Sequence, residues 1–144
     1  MTNSLRAVYR VWAMLLFVAV IIQVGAAGYG AFYAAHKVGE KPKKTLTNHQ
    51  WDHGFGLHGI LGFVIFLATI LLLLFALGSR FDRRRVLLAL GAALLVLLQI
   101  VLAGLGSSVP AFGALHGLNA LVIVGYTGYL AREAHRRTWT LTLR

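Results

Sequence analysis

Three stretches of this chain carry no formally charged residue: 11–36, 53–79 and 86–131. Nothing else in the sequence restricts the fold as much. A helix needs about 20 apolar residues to cross the hydrocarbon core of a bilayer. Lipid offers backbone N–H and C=O groups no partner, so a spanning segment must satisfy them within its own helix. The first two runs are one span each. The third is long enough for two, and "GLGSSVPAFG" at 104–113 divides it with glycines, serines and a proline. The chain is predicted to be one all-α transmembrane domain, residues 1–144. Its spans lie near 8–34, 53–78, 85–106 and 112–134, with an outer loop at 35–52. A composition of 58% hydrophobic and 12% charged residues agrees with an integral membrane four-helix bundle. The first run is too long, and lacks the cleavage pattern, for a removable signal peptide.

The net charge of +10 would suggest nucleic acid if it were spread evenly, but it is sorted. All ten arginines fall on one side of the four-span arrangement: Arg6, Arg10, Arg80, Arg83, Arg84, Arg85, Arg132, Arg136, Arg137 and Arg144. The four lysines, Lys37, Lys41, Lys43 and Lys44, fall in the loop on the other side. By the positive-inside rule both termini are cytoplasmic (N-in, C-in), in a multi-pass protein of a bacterial cytoplasmic membrane. The arginines are expected to meet anionic lipid, with no nucleic acid involved. The lysine loop faces outward, either simply solvated or meeting an acidic partner or the carboxylates of a cofactor.

The two halves of the chain resemble each other. Gln23 sits in "IIQVGAAGYG" and Gln99 in "LLQIVLAGLG", each followed at the same spacing by two glycines, Gly28 and Gly30 or Gly104 and Gly106. The second and fourth spans share "LHG", at 57–59 and 115–117. The reading is two helical-hairpin repeats running parallel, each with glutamine on its first helix and histidine on its second. At about 1.5 Å per residue, His58 and His116 would lie at matched depth, roughly 6–9 Å below their helix starts near the outer face.

Polar side chains within a span are costly and usually face the bundle interior. Three uses of the histidines stay open at this level: interhelical hydrogen bonds to Gln23 or Gln99, ligation of haem iron, and ligation of another metal. Haem suits a symmetric pair, because one imidazole can approach each side of the iron. Gly59, Gly62, Gly113 and Gly117 would then leave room for a flat ligand. Lys41, Lys43 and Lys44, with His49, would neutralise its propionates. Trp51 reads as an interfacial anchor, and Tyr29, Phe32 and Tyr33 are candidates for lining an outer cavity. His49 and His53 are weighed as solvated residues against a second metal site. The chain has no cysteine, which removes disulfides, thiolate metal sites and covalent haem attachment. Its four acids, Glu40, Asp52, Asp82 and Glu133, all lie outside the spans, so no catalytic residue is assigned.

"FGLHGILGFVIFLATILLLL" and "LLVLLQIVLAGLGSSVPAFGALHGLNALVIVGYTGYLA" together resemble one four-helix half of a haem A synthase, over roughly residues 50–131. The chain is also similar to small bacterial four-helix membrane proteins of uncharacterised role. The resemblance implies a haem-ligand pair at His58 and His116. The family's glutamate three residues before the first histidine is Phe55 here, and its arginine just after that histidine is Gly59. Haem A synthase activity is therefore not expected. The resulting expectation is a haem b protein with bis-histidine ligation near the outer face, carrying electrons to or from a quinone or an outer redox protein. Assembly as a homodimer or within a larger membrane complex would fit either role. The rival expectation is a cofactor-free structural or assembly subunit of a membrane complex.

Overall fold

The computed structural model describes residues 2–40 and 45–136. These form four helices: α1 (Thr2–Gly39), α2 (Asn48–Gly78), α3 (Arg83–Gly106) and α4 (Pro110–Arg136). Each is long and apolar enough to cross a membrane, so the chain is a multi-pass membrane bundle. The break in the third charge-free run falls where expected, between Gly106 and Pro110. Proline suits that first helical position, since its missing N–H would have no intrahelical partner there.

The helices overrun the expected spans on the side of the lysine loop. α1 continues to Gly39 and α2 starts at Asn48, so helix enters the predicted 35–52 loop from both sides. The start of α2 is set by a capping box rather than by hydrophobicity. The Gln50 backbone N–H donates to Thr47 Oγ1 at 3.3 Å, and the Thr47 N–H donates to Gln50 Oε1 at 3.1 Å. α3 is capped by Asp82, whose Oδ1 accepts from the Arg85 N–H at 3.2 Å. The end of α2 closes in a Schellman pattern, Phe81 N–H to Ala76 O and Arg80 N–H to Leu77 O. The left-handed position of that motif usually takes glycine, but here it is Arg80, at φ 49°.

The helices are arranged in a ring: α1 packs on α2 and α4, and α3 packs on the same two. The continuous core occupies the half of the bundle nearer the chain termini. It joins Tyr9, Ala13, Leu16 and Val20 of α1 to Ile65, Leu72 and Ala76 of α2, Ala89, Ala92 and Val96 of α3, and Ile123, Leu130 and Ala134 of α4. The three- and four-residue steps between these positions keep one stripe of each helix facing inward. Lipid is as apolar as leucine, so burial alone does not hold such helices together; small residues and interhelical hydrogen bonds do. Trp12 donates to Ala68 O at 2.9 Å, and Tyr126 donates to Leu88 O at 3.0 Å. Gly91 is small because any Cβ there would overlap the Tyr126 hydroxyl.

Candidate functional site

Beyond Val20 and Val96 the bundle changes character. The continuous core ends, and the glutamines and histidines begin. In the first hairpin, Gln23 Nε2 donates to the backbone carbonyl of His58 at 2.8 Å, and His58 Nδ1 lies 3.3 Å from the carbonyl of Gln23. In the second, Gln99 Nε2 donates to His116 O at 3.0 Å, and His116 Nδ1 lies 3.0 Å from Gln99 O. Each pair is thus joined twice, side chain to backbone in both directions.

The chemistry of this clasp follows from its acceptors. A backbone carbonyl can only accept, so each Nδ1 carries the proton that it donates. In the neutral ring the lone pair then belongs to Nε2, on the opposite edge and free of the clasp. Metal-bound histidines commonly have this arrangement, with the other ring N–H held by a carbonyl or carboxylate that fixes tautomer and orientation.

The two clasped rings meet across the bundle, with centroids 6.2 Å apart and planes crossed at 72°. Two metal–imidazole bonds of about 2.0–2.1 Å, with each ring centre about 1.1 Å behind its nitrogen, span about 6.3 Å between ring centres. The observed separation is close to that span and is equally that of an ordinary edge-to-face ring contact. Among the described residues no group of three or more His, Cys, Asp or Glu comes together. A bare zinc ion, which takes four ligands, would find only two here.

Several glycines near the rings are exposed and uncrowded. A Cβ placed on Gly59, Gly113 or Gly117 would meet nothing within 4 Å, and the same is true of Gly28 and Gly104. Gly62 differs: its Cβ would come 3.1 Å from Gln23 Nε2, so its small size makes way for the clasp. The hairpins close beyond the histidines at glycine crossings. A Cβ on Gly30 would strike the Phe55 ring and the Gly54 carbonyl, and one on Gly106 would sit 2.9 Å from Gly113 N.

The remaining sequence-predicted residues are placed as follows. Lys41, Lys43 and Lys44 lie outside the described residues. His49 and His53 are exposed on α2, with the His53 ring 5.0 Å from that of Tyr33, which stacks on Tyr29 at 6.0 Å. Trp51 packs on Phe55 at 4.6 Å, and Phe32 is 81% exposed. His58 lies deeper from its helix start than expected. At about 1.5 Å per residue it is roughly 15 Å from Asn48, whereas His116 is roughly 9 Å from Pro110. The histidines share a level because the hairpins dock that way, not because their helices begin together. The start of α2 consequently stands roughly 6 Å beyond that of α4. Sequence reasoning missed Asn119, which is 8% exposed and donates to Gln99 Oε1 at 2.7 Å and to Leu95 O at 3.1 Å. A polar residue one turn past His116 in an apolar span was the available signal.

A four-helix membrane bundle with a paired-histidine centre is the class that fold and site define. The chain matches no family model, no curated protein and no solved structure.

Proposed function

We propose that this protein binds one haem b between His58 and His116 and carries single electrons in a bacterial cytoplasmic membrane. The observation that carries the reading is the pair of clasped imidazoles 6.2 Å apart, each with Nδ1 committed to a backbone carbonyl. Haem held by His58 and His116 would supply one-electron chemistry, suited to transfer rather than to oxygen activation. The chain's own contribution is to orient. Gln23 and Gln99 fix the ring-bearing backbones, and Gly59, Gly113 and Gly117 leave the adjoining space clear. By the arginine bias the termini are cytoplasmic, which puts the histidines in the outer half within reach of a quinone or an outer redox protein.

The hairpins read as two copies of one unit. What supports this is the shared register: counted from His58 and His116, Ile65, Thr69, Leu72 and Ala76 are buried at the positions of Ile123, Thr127, Leu130 and Ala134. This correspondence carries the internal Gln and LHG repeat of the sequence into the core-facing stripe. Phe55, in place of the family's glutamate, keeps haem hydroxylation out of the reading.

The second reading, a cofactor-free subunit, rests on the same four hydrogen bonds taken as interhelical glue. One experiment separates the two: absorption spectra of the protein purified in mild detergent, oxidised and then dithionite-reduced, before and after adding haemin. The haem reading expects a low-spin six-coordinate b-type spectrum that either His58→Ala or His116→Ala abolishes. A flat visible spectrum that haemin does not change leaves the structural subunit.

A further inference from the structure

The two hairpins hold their histidines by the same bonds but support those bonds unequally. Gln99 Oε1 accepts from Asn119 Nδ2 at 2.7 Å, and that amide also reaches Leu95 O. Gln23 Oε1 is buried and has no partner among the described residues. The reason is one substitution between the halves. Three residues past His116 stands Asn119, and three past His58 stands Leu61. The ring bonds differ in the same direction, 3.0 Å at His116 and 3.3 Å at His58.

A buried carbonyl with no donor favours any rearrangement that finds one, and here that means turning the Gln23 amide away from His58 O. The Gln99 amide has no such incentive, since both its ends are engaged. We propose that His116 is the anchoring ligand and His58 the displaceable one, so that the centre admits a diatomic ligand on the His58 side. This rests on the haem reading above. Room does not distinguish the two sides, since Gly59 and Gly117 are equally open; support does. The exchange would involve no redox step: His58 would yield its place to a diatomic donor and keep its Nδ1 proton.

Carbon monoxide is the probe. The full chain, loaded with haem in detergent and reduced with dithionite, is titrated with it. The expected result is a carbon monoxide adduct in the wild type. Leu61→Asn, placed to supply Gln23 Oε1 with the missing donor, should lower carbon monoxide affinity about tenfold with haem retained, the low end of the effect that changing an outer partner has on metal affinity. His58→Ala should keep haem as a five-coordinate species, while His116→Ala should lose it. Asn119→Leu serves if Leu61→Asn does not fold, and should raise carbon monoxide affinity by unfastening the second side as well.

Three results would overturn the inference: a six-coordinate wild type that excludes saturating carbon monoxide, no change in affinity in the variants at 61 or 119, or equal haem loss in the two histidine variants. Failure of the wild type to take up haem at all would instead sink the underlying haem reading, and this inference with it.

Discussion

Replacing each glutamine by leucine gives a sharp test of the paired clasps, and it needs no cofactor. Gln99→Leu removes two interhelical bonds, Gln99 Nε2 to His116 O and Asn119 Nδ2 to Gln99 Oε1. Side-chain hydrogen bonds between membrane helices average about 0.6 kcal/mol and reach about 1.7, so the loss should be about 1–3 kcal/mol. Gln23→Leu removes only one, Gln23 Nε2 to His58 O, and also deletes the orphaned Oε1. Leaving such a group buried without a partner costs about 1–3 kcal/mol, which offsets the lost bond and brings the net change near zero. The backbone carbonyls that accept from the imidazoles survive in both variants. Reversible unfolding of the haem-free protein in detergent, followed by tryptophan fluorescence and circular dichroism, measures both. Gln99→Leu should be the less stable by at least about 1 kcal/mol. Equal losses, or a larger loss for Gln23→Leu, would refute the claim that the second hairpin's clasp is fully satisfied and the first's is not.

Three further outcomes are expected. Gly91→Ala should destabilise by about 1–3 kcal/mol in a thermal melt, because its methyl overlaps the Tyr126 hydroxyl, and Tyr126→Phe in the same chain should recover part of the loss. Arg80→Gly should raise stability by up to about 1 kcal/mol, since glycine takes the left-handed conformation at φ 49° without the Cβ clash; an unchanged midpoint would argue that the guanidinium contributes as much as the strain costs. At the end of α1, the hydrogen bond from Lys37 holds the Glu40 carboxyl below its usual range, with His36 adding to the effect. Because the folded value is the lower one, the support is present above the unfolded carboxylate pKa and is lost as pH falls through the folded one. Amide exchange across residues 36–40 should therefore quicken, relative to the rest of α1, as pH drops below about 4.

Four helices, their number and their approximate extent are legible in the sequence because the bilayer imposes a length on any charge-free segment. His58 and His116 are legible for a similar reason: a polar side chain inside an apolar span is conspicuous. The helix ends on the loop side were not, since a capping box at Thr47 and Gln50 begins α2 five residues ahead of the apolar run. Hydrophobicity marks where a helix meets lipid, not where its backbone hydrogen bonds start.

What the residues alone determine, then, is the existence of two histidine-bearing hairpins and the sorting of arginine from lysine. Both depend on composition along one dimension. The tertiary structure decided that the two imidazoles stand 6.2 Å apart, that each Nδ1 faces a glutamine carbonyl, and that Asn119 completes one clasp while Leu61 leaves the other with a bare oxygen. Those facts depend on how far one hairpin slides against the other and on which turn of α4 meets Gln99. Helix periodicity narrows such choices to a face, and only the packing of small residues between neighbouring helices settles the register.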